Sequence, residues 1–459
     1  MRLTLIHPAI GRHADDRSYL RSWQMEPLAP AVLAGLTPED VEVRFYDDRL
    51  EAIPYDEPTD LVAMSVETYT AMRCYQIATE FRRRGVPVVL GGFHATLCTD
   101  EVAAHAEAVV VGEAEDQWAE VIDDFRHGTL RRIYTSGGRP SLAHLRPDRS
   151  IFQGKRYLRL RLVETGRGCH FKCDFCAIQA YFDSTQVRRP IDLILDEIRA
   201  ARNRTNFFFF VDDNITSNMG KAKEFFRALI PLKIRWVSQA SINAAHDEEF
   251  LDLISRSGCQ GLLIGFESLD PETLAQMNKG FNTARGGYEV ALANLRKYHI
   301  RLYTTFVFGY DHDTPESFER TLAFAEEHRM YMAAFNHLTP FPGTPLYERL
   351  QEEGRLEYEA WWTDPEYRYN RVPFRPKSMS PSELQALCLR TRERFYSLRS
   401  IGRRFLDPVN RSNPFMARNF PAINLMMRRE VHQRDLLPLG DEAFTGALLP
   451  AADSVRAPR

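Results

Sequence analysis

The chain has 459 residues, enough for two or three domains, since single hydrophobic cores stop growing at about 250–300 residues. Hydrophobic residues make up 44% and charged residues 26%, with a formal net charge of −3; this balance is ordinary for a soluble globular chain and argues against a whole-chain polyanion binder, so nucleic acid is not an expected partner. The seven cysteines are odd in number and three of them are clustered, which does not read as a disulfide framework and fits a reducing cytoplasm.

The start, Met1 to Pro8, reads as a short strand followed by polar residues and lacks the apolar core of a signal peptide. Up to residue 145, short apolar runs alternate with helical patterns, the signature of a parallel sheet with crossover helices. Strands are expected at Arg2–His7, Val41–Tyr46, Leu61–Ser65, Val86–Leu90 and Ala108–Val111, and helices at Pro27–Leu36, Ala71–Arg84 and Asp116–Phe125. Such a doubly wound, Rossmann-like domain binds ligands beyond the carboxyl ends of its strands. The residues there are Ser65 to Thr68, Gly91-Gly92 with His94, and Gly112-Glu113. Glycine lets a backbone approach a flat ring, although Gly-Gly after a strand also serves as a plain turn.

From 146 to 345 strand and helix repeat with short connections, as in a (β/α) barrel. Strands are expected at Leu158–Thr165, Phe207–Val211, Ile234–Gln239, Gly261–Phe266, Arg301–Phe308 and Met332–Leu338. Polar residues stand at their ends: Asp212-Asp213, Ser238-Gln239 and Glu267-Ser268. After the first of these strands come Cys169, Cys173 and Cys176, with Gly166 and Gly168 ahead of them. Three thiolates on one short loop suit three irons of a [4Fe–4S] cluster and leave the fourth iron open to a ligand. The alternative is a zinc site completed by His170 or another residue; structural zinc usually takes paired ligands from two knuckles, and the chain has no second pair.

From 346 to 459 the pattern turns helical and irregular, with helices expected at Leu346–Glu353 and Pro381–Ser400. Between Arg390 and Glu430 ten arginines face three acids, a local charge of +7, among interspersed phenylalanines and methionines. Such a stretch either lies on an anionic membrane or covers an amphiphilic substrate, or is a solvated face with snorkelling arginines. Trp23, Trp236, Trp361 and Trp362 are candidates to wall an apolar cavity, though aromatics are commoner in cores.

The cysteine spacing, with Phe175 before the last cysteine, resembles the radical S-adenosylmethionine (SAM) superfamily, and the region ahead of it resembles the cobalamin-binding domain that precedes many such barrels. The resemblance implies a partial (β/α)6 barrel with a helical C-terminal cap. It implies a [4Fe–4S] cluster on Cys169, Cys173 and Cys176, and SAM cleaved reductively to a 5′-deoxyadenosyl radical. Asp212 or Asp213 would meet the SAM amino group, Glu267 the ribose hydroxyls, and Gly309 with its neighbours the adenine; Ser238 is a further contact. Ser65, Thr68, Gly91, Gly92, His94, Gly112 and Glu113 would line the cobalamin slot. The Asp-x-His-x-x-Gly motif that supplies a lower cobalt ligand is absent, and His7, His13 and His94 are weak substitutes. The expected reaction is methylation of an unactivated carbon of a hydrophobic molecule through methylcobalamin, as in hopanoid methylases; oxidative cyclisation of a tetrapyrrole or lipid, and a non-catalytic corrinoid or zinc protein, are the alternatives. Expected partners are a flavodoxin- or ferredoxin-type electron donor and, through the basic tail, the membrane surface. His337 is a candidate acid or base.

Overall fold

Parallel strands buried on both faces need continuous apolar runs, and the chain supplies them twice. In a computed structural model, which describes residues 1–14, 24–433 and 435–450, these runs build two sheets of six strands each. The first holds β1 (Arg2–His7), β3 (Glu42–Asp47), β4 (Leu61–Ser65), β5 (Val88–Gly91), β6 (Ala108–Val111) and β7 (Ile133–Thr135) in the order β3-β1-β4-β5-β6-β7, all parallel. The two-residue β2 (Gly11–Arg12) stands apart from it. Helices Leu28–Leu36 and Trp118–His127 cover one face around Leu5, Ala63 and Val110, and Ala71–Arg83 covers the other around Val62, Met64 and Leu90. The sheet is therefore doubly wound, as the alternating pattern predicts; β7 is an additional strand that the sequence does not announce, because Ile133 is an exposed edge residue between arginines and polar groups.

The second sheet holds β8 (Arg161–Val163), β11 (Phe207–Phe210), β12 (Arg235–Ala240), β13 (Cys259–Glu267), β14 (Arg301–Phe308) and β15 (Met332–His337), in sequence order and all parallel. Between β8 and β11 the antiparallel pair β9 (Gly166–Gly168) and β10 (Gln186–Arg188) brackets the cysteine loop. The expected first barrel strand, Leu158–Thr165, is shorter, Arg161–Val163, and Gly166 instead begins β9, where the partner strand approaches so closely that a Cβ would lie 2.6 Å from the Val187 carbonyl oxygen. Six strands close only part of a barrel. Alternate residues face the helices and are buried, such as Phe208, Phe210, Trp236 and Phe306, whereas the inward row of Phe209, Val237, Leu263, Tyr303 and Ala334 is only partly buried and Asn336 is exposed. The barrel is thus hollow, unlike a closed eight-strand barrel whose interior is filled by side chains.

Helices Pro381–Phe395, Leu398–Phe405, Pro408–Arg411 and Pro414–Gln433 form the helical C-terminal extension. The single expected helix Pro381–Ser400 breaks at Tyr396, and Ser397 caps the next helix through the Ser400 N–H. The chain then returns to the N-terminal region, where β16 (Gly440–Asp441) pairs with β2 as a separate two-stranded ribbon beside the helix Ala71–Arg83. Gly11 makes that contact possible, since a Cβ would sit 2.0 Å from the Pro438 carbonyl oxygen. No helix among the described residues is long and apolar enough to cross a membrane.

Candidate active site at the seam between sheet and barrel

The cysteine loop is held from every side by residues at barrel strand ends. Asp212 accepts the Thr165 N–H at 2.7 Å and the Thr165 hydroxyl, and Asp213 accepts the Gly168 N–H at 2.7 Å. Asn214 Nδ2 donates to Cys169 Sγ at 3.4 Å and to Ser241 Oγ at 2.6 Å. On the far side Tyr310 donates its hydroxyl to Asp174 at 2.6 Å, and Phe171 stacks on Phe281 at 4.4 Å. Burial lifts the Cys173 thiol to about 12 and both Asp212 and Asp213 to about 6. The two aspartates therefore act on the loop itself, with their oxygens engaged by backbone N–H groups. Phe175 packs against the barrel core.

Ligands of a single zinc stand about 3.8 Å apart, given 2.3 Å bonds at tetrahedral angles. Among the described residues one group of His, Cys and acid atoms lies within 4.8 Å, and it is His94, Cys98 and Glu101, not the loop cysteines. Cys169, Cys173 and Cys176 are all free thiols on the one loop, Cys173 buried and the other two partly so. His170 is not part of that group; its Nδ1 lies 3.1 Å from the Ser184 carbonyl oxygen.

Glu267 ends β13 with φ of +61°, at a bulge in the pairing with β14. Its carboxylate folds back over Gly265, accepting from Lys279 Nζ at 2.7 Å and from Thr305 Oγ1 at 3.4 Å. A left-handed non-glycine residue at a strand end is a feature of functional sites. Lys279 lies in the field of Cys173 and Cys176 as well as of Glu267. Neither Lys279 nor Asn214 was a sequence candidate; Asn214 directly follows the two expected aspartates, whereas nothing local marks Lys279.

A cavity of about 230 Å³ opens at the carboxyl ends of β4, β5 and β6. Ser65, Gly91, Gly92, Gly112 and Glu113 line it from the sheet, Leu28, Val32 and Trp118 from the flanking helices, and Glu164, Arg167, Tyr181 and Asp213 from the barrel. Gly92 has φ of +96°, and a Cβ there would lie 2.5 Å from Ser65 Oγ. This glycine-floored slot with apolar walls fits a flat nucleotide-tail ring of a corrinoid. At its rim Arg167 binds Glu115 at 2.6 Å, Glu164 at 2.9 Å and Glu113 at 3.1 Å, and Tyr181 stacks on Phe93 at 4.1 Å.

Several expected residues lie elsewhere. Thr68 is buried outside the slot, where Glu67 takes its place. His94 faces away from the slot, with Nε2 3.3 Å from Glu101 Oε1 and its ring against Trp362, so it is no lower cobalt ligand; His13 is engaged by Glu442. Ser238 donates its hydroxyl to the Phe210 carbonyl at 2.8 Å. Gly309 has its N–H held by Asp313 at 2.8 Å, and a Cβ built there would lie 2.8 Å from Leu384 and 3.0 Å from Phe374 of the cap. His337 is buried between the Leu338 and Asn370 backbones and pushed down to about 4, neutral and without a free nitrogen for acid–base work. Trp236 and Trp361 are core, and Trp23 lies outside the described residues. In the basic stretch Arg404 is fully buried, donating to the Met330, Tyr331 and Phe395 carbonyls and to Asn424.

Inside the barrel a second cavity of about 460 Å³ is lined by Phe207, Phe209, Val237, Leu263, Tyr303 and Asn336 and closed by Tyr396, Met416 and Met427 of the extension. Here the basic, apolar-studded segment covers an interior space.

Residues 163–325 match the Radical SAM superfamily. Bacteriochlorophyllide d C-12(1)-methyltransferase of Chlorobaculum tepidum is 33% identical over 396 residues, 84% of this chain and 86% of that one. Hopanoid C-2 methylase of Rhodopseudomonas palustris is 27% identical over 351 residues, 73% of this chain and 66% of that one. The fold is shared with the radical SAM methyltransferase TsrM from Kitasatospora setae, solved with cobalamin and a [4Fe–4S] cluster bound, at a TM-score of 0.62 and 16% identity over 94% of this chain and 99% of that one.

Proposed function

The chain belongs to the radical SAM superfamily, and from that premise we propose that it is a cobalamin-dependent enzyme methylating an unactivated carbon of a hydrophobic small molecule. The observation that carries the reading is the seam: the slot at the sheet's strand ends is walled on its other side by Arg167, Tyr181 and Asp213, which flank the cysteine loop. When bound, the cluster with SAM supplies a 5′-deoxyadenosyl radical and the corrinoid supplies a methyl group. The residues of the chain position these groups. Cys169, Cys173 and Cys176 hold the irons, and Asp212, Asp213 and Asn214 fix the loop that carries them. Glu267, oriented by Lys279, offers a carboxylate of the kind that pairs with vicinal hydroxyls. Ser65, Gly91, Gly92 and Gly112 form the corrinoid floor, and the hollow barrel receives the substrate, excluding water through its aromatic lining.

Anaerobic purification with cobalamin supplied tests this directly: about four irons and one cobalt per chain, release of 5′-deoxyadenosine under reduction, and entry of a labelled SAM methyl into product are expected. Iron without cobalt removes the methyl-transfer reading, and product without label favours cyclisation. A flavodoxin- or ferredoxin-type donor supplies the electron in this reading. The exposed Arg399 and Arg403, beside Leu398 and Leu406 at 64% exposure each, are the part of the tail that would touch an anionic membrane. Reversing both charges should weaken binding to anionic liposomes; unchanged binding returns this face to a solvated role.

A further inference from the structure

Apolar chambers that receive a substrate orient it with a few placed polar groups, and the barrel chamber carries an unusual one. Arg392, on the last turn of helix Pro381–Phe395, lines it with its guanidinium fixed from one side only: Nε donates to the Phe335 carbonyl oxygen at 2.8 Å. Among the described residues no carboxylate lies within 4.0 Å of this guanidinium. Asn336, next along β15 and the exposed end of the inward row, and Asn370 belong to the same lining, so Arg392, Asn336 and Asn370 all share this one chamber. A second chamber guanidinium, Arg301, is 4% exposed and also lacks a carboxylate; it donates to the Gln260 carbonyl at 3.1 Å and Ser412 Oγ at 2.7 Å while its Nε has no partner. The one acid in the lining is Glu430, whose Oε1 is itself unpartnered and which lies more than 4.0 Å from either arginine.

Partly desolvated cations without counter-ions are costly, and a planar fork with free terminal nitrogens matches a carboxylate in two parallel hydrogen bonds. We propose that the chamber binds an apolar substrate that carries a carboxylate, and that the carboxylate seats on Arg392 beside Asn336 and Asn370. The aromatic and methionine walls then hold the apolar body, and the fork fixes which carbon faces the strand ends where Glu267 and the cysteine loop stand. Phe335 sets the fork's direction, so Arg392 determines specificity by orientation as well as by charge. This assignment deepens the substrate reading given above and rests on the barrel chamber being the substrate site.

The test is equilibrium fluorescence titration of the full chain with cis-parinaric acid and with its methyl ester, two probes that share an apolar body and differ in the carboxylate. The parent is expected to bind the acid at least tenfold more tightly than the ester. Arg392→Met should bring the two within threefold while ester binding stays unchanged, and Arg392→Lys should keep part of the preference because it keeps the charge and loses the fork. Equal binding of acid and ester by the parent, binding of neither, or a preference that survives in Arg392→Met overturns the proposal. Should Arg392→Met lose ester binding as well, Arg392→Lys decides: a retained preference supports the assignment and a lost one overturns it. The titration needs no reduced cluster, so its failure is separable from a failure of SAM cleavage in the same preparation.

Discussion

Gly265→Ala separates the fold from the chemistry more sharply than loss of any charged residue. Gly265 lies on the inward row of β13, and a Cβ built there would fall 2.0 Å from Glu267 Oε1 and 3.0 Å from Lys279 Nζ. Ordinary contact begins at 3.4 Å, so the carboxylate must withdraw by about 1.4 Å (3.4 − 2.0). Both obstructing atoms are far ends of flexible side chains, which move cheaply, so stability should change by about 1 kcal/mol or less. A misplacement of about 1 Å at a positioning group costs on the order of 100-fold in rate, equivalent to about 2.7 kcal/mol. The expected outcome is therefore normal iron content and a normal unfolding midpoint, with kcat/KM for 5′-deoxyadenosine release down about 100-fold. A rate within threefold of the parent, with unchanged KM for SAM, would refute the placement of Glu267 at the nucleoside.

Cys173→Ala should abolish iron retention and deoxyadenosine formation while corrinoid binding persists, because the slot is built without this loop's thiols; continued SAM cleavage in the variant sinks the cluster assignment. Asp213 carries a pH prediction. Burial raises its carboxyl from the ordinary 3.8 to about 6, so the folded state holds the proton more tightly, and the stabilisation is complete below about pH 4 and lost as pH rises through about 6. The span of up to about 3 kcal/mol should shrink in Asp213→Asn, which stays neutral and still accepts from Gly168; denaturant midpoints from pH 4.5 to 7.5 with the parent's slope would contradict this. Arg404→Met should cost about 3 kcal/mol or more, since it strands the Met330 and Phe395 carbonyls in the core, whereas Arg403→Met, at the surface, should stay within about 0.5 kcal/mol. Equal unfolding midpoints for the two variants would count against the buried role.

These outcomes also mark how far sequence patterns reach. The apolar runs give both sheets, and the cysteine spacing with acids at strand ends gives the loop and its supports, because those signals are local and periodic. What escapes them is non-local. Gly440 pairs with Gly11 across almost the whole chain, and Lys279 meets Glu267 only because β13 bulges at its end. Arg404 reads as one more charge in a basic run, yet its acceptors are mainly backbone carbonyls, which every residue has and no pattern distinguishes. His94 stands two residues beyond the glycine pair of the slot, but those two residues turn by about 200°, just over half a helical turn, and carry its ring to the opposite side, against Trp362. Strand-end position therefore identifies a neighbourhood, and side-chain direction within the first turn decides membership.

The seam explains why two cofactor sites belong in one chain. Arg167 stands two residues before Cys169 and binds Glu113 of the sheet, Glu115 beyond it and Glu164 of the barrel. One guanidinium thus ties the rim of the glycine slot to the base of the cysteine loop, and Arg139 joins it through the same Glu113. Burial alone would disfavour the Arg167 charge, but the surrounding Glu164, Glu115 and Glu113 outweigh it and keep the guanidinium charged. Tyr181, on the helix that directly follows Cys176, adds an apolar link by stacking on Phe93 next to Gly92. A group seated on the sheet and a group seated on the loop are then held at a fixed separation by packed and ion-paired elements instead of by a linker. Radical chemistry at one carbon requires that rigidity, because a substrate radical formed by hydrogen abstraction is captured productively, ahead of side reactions, only if its reaction partner is already in place.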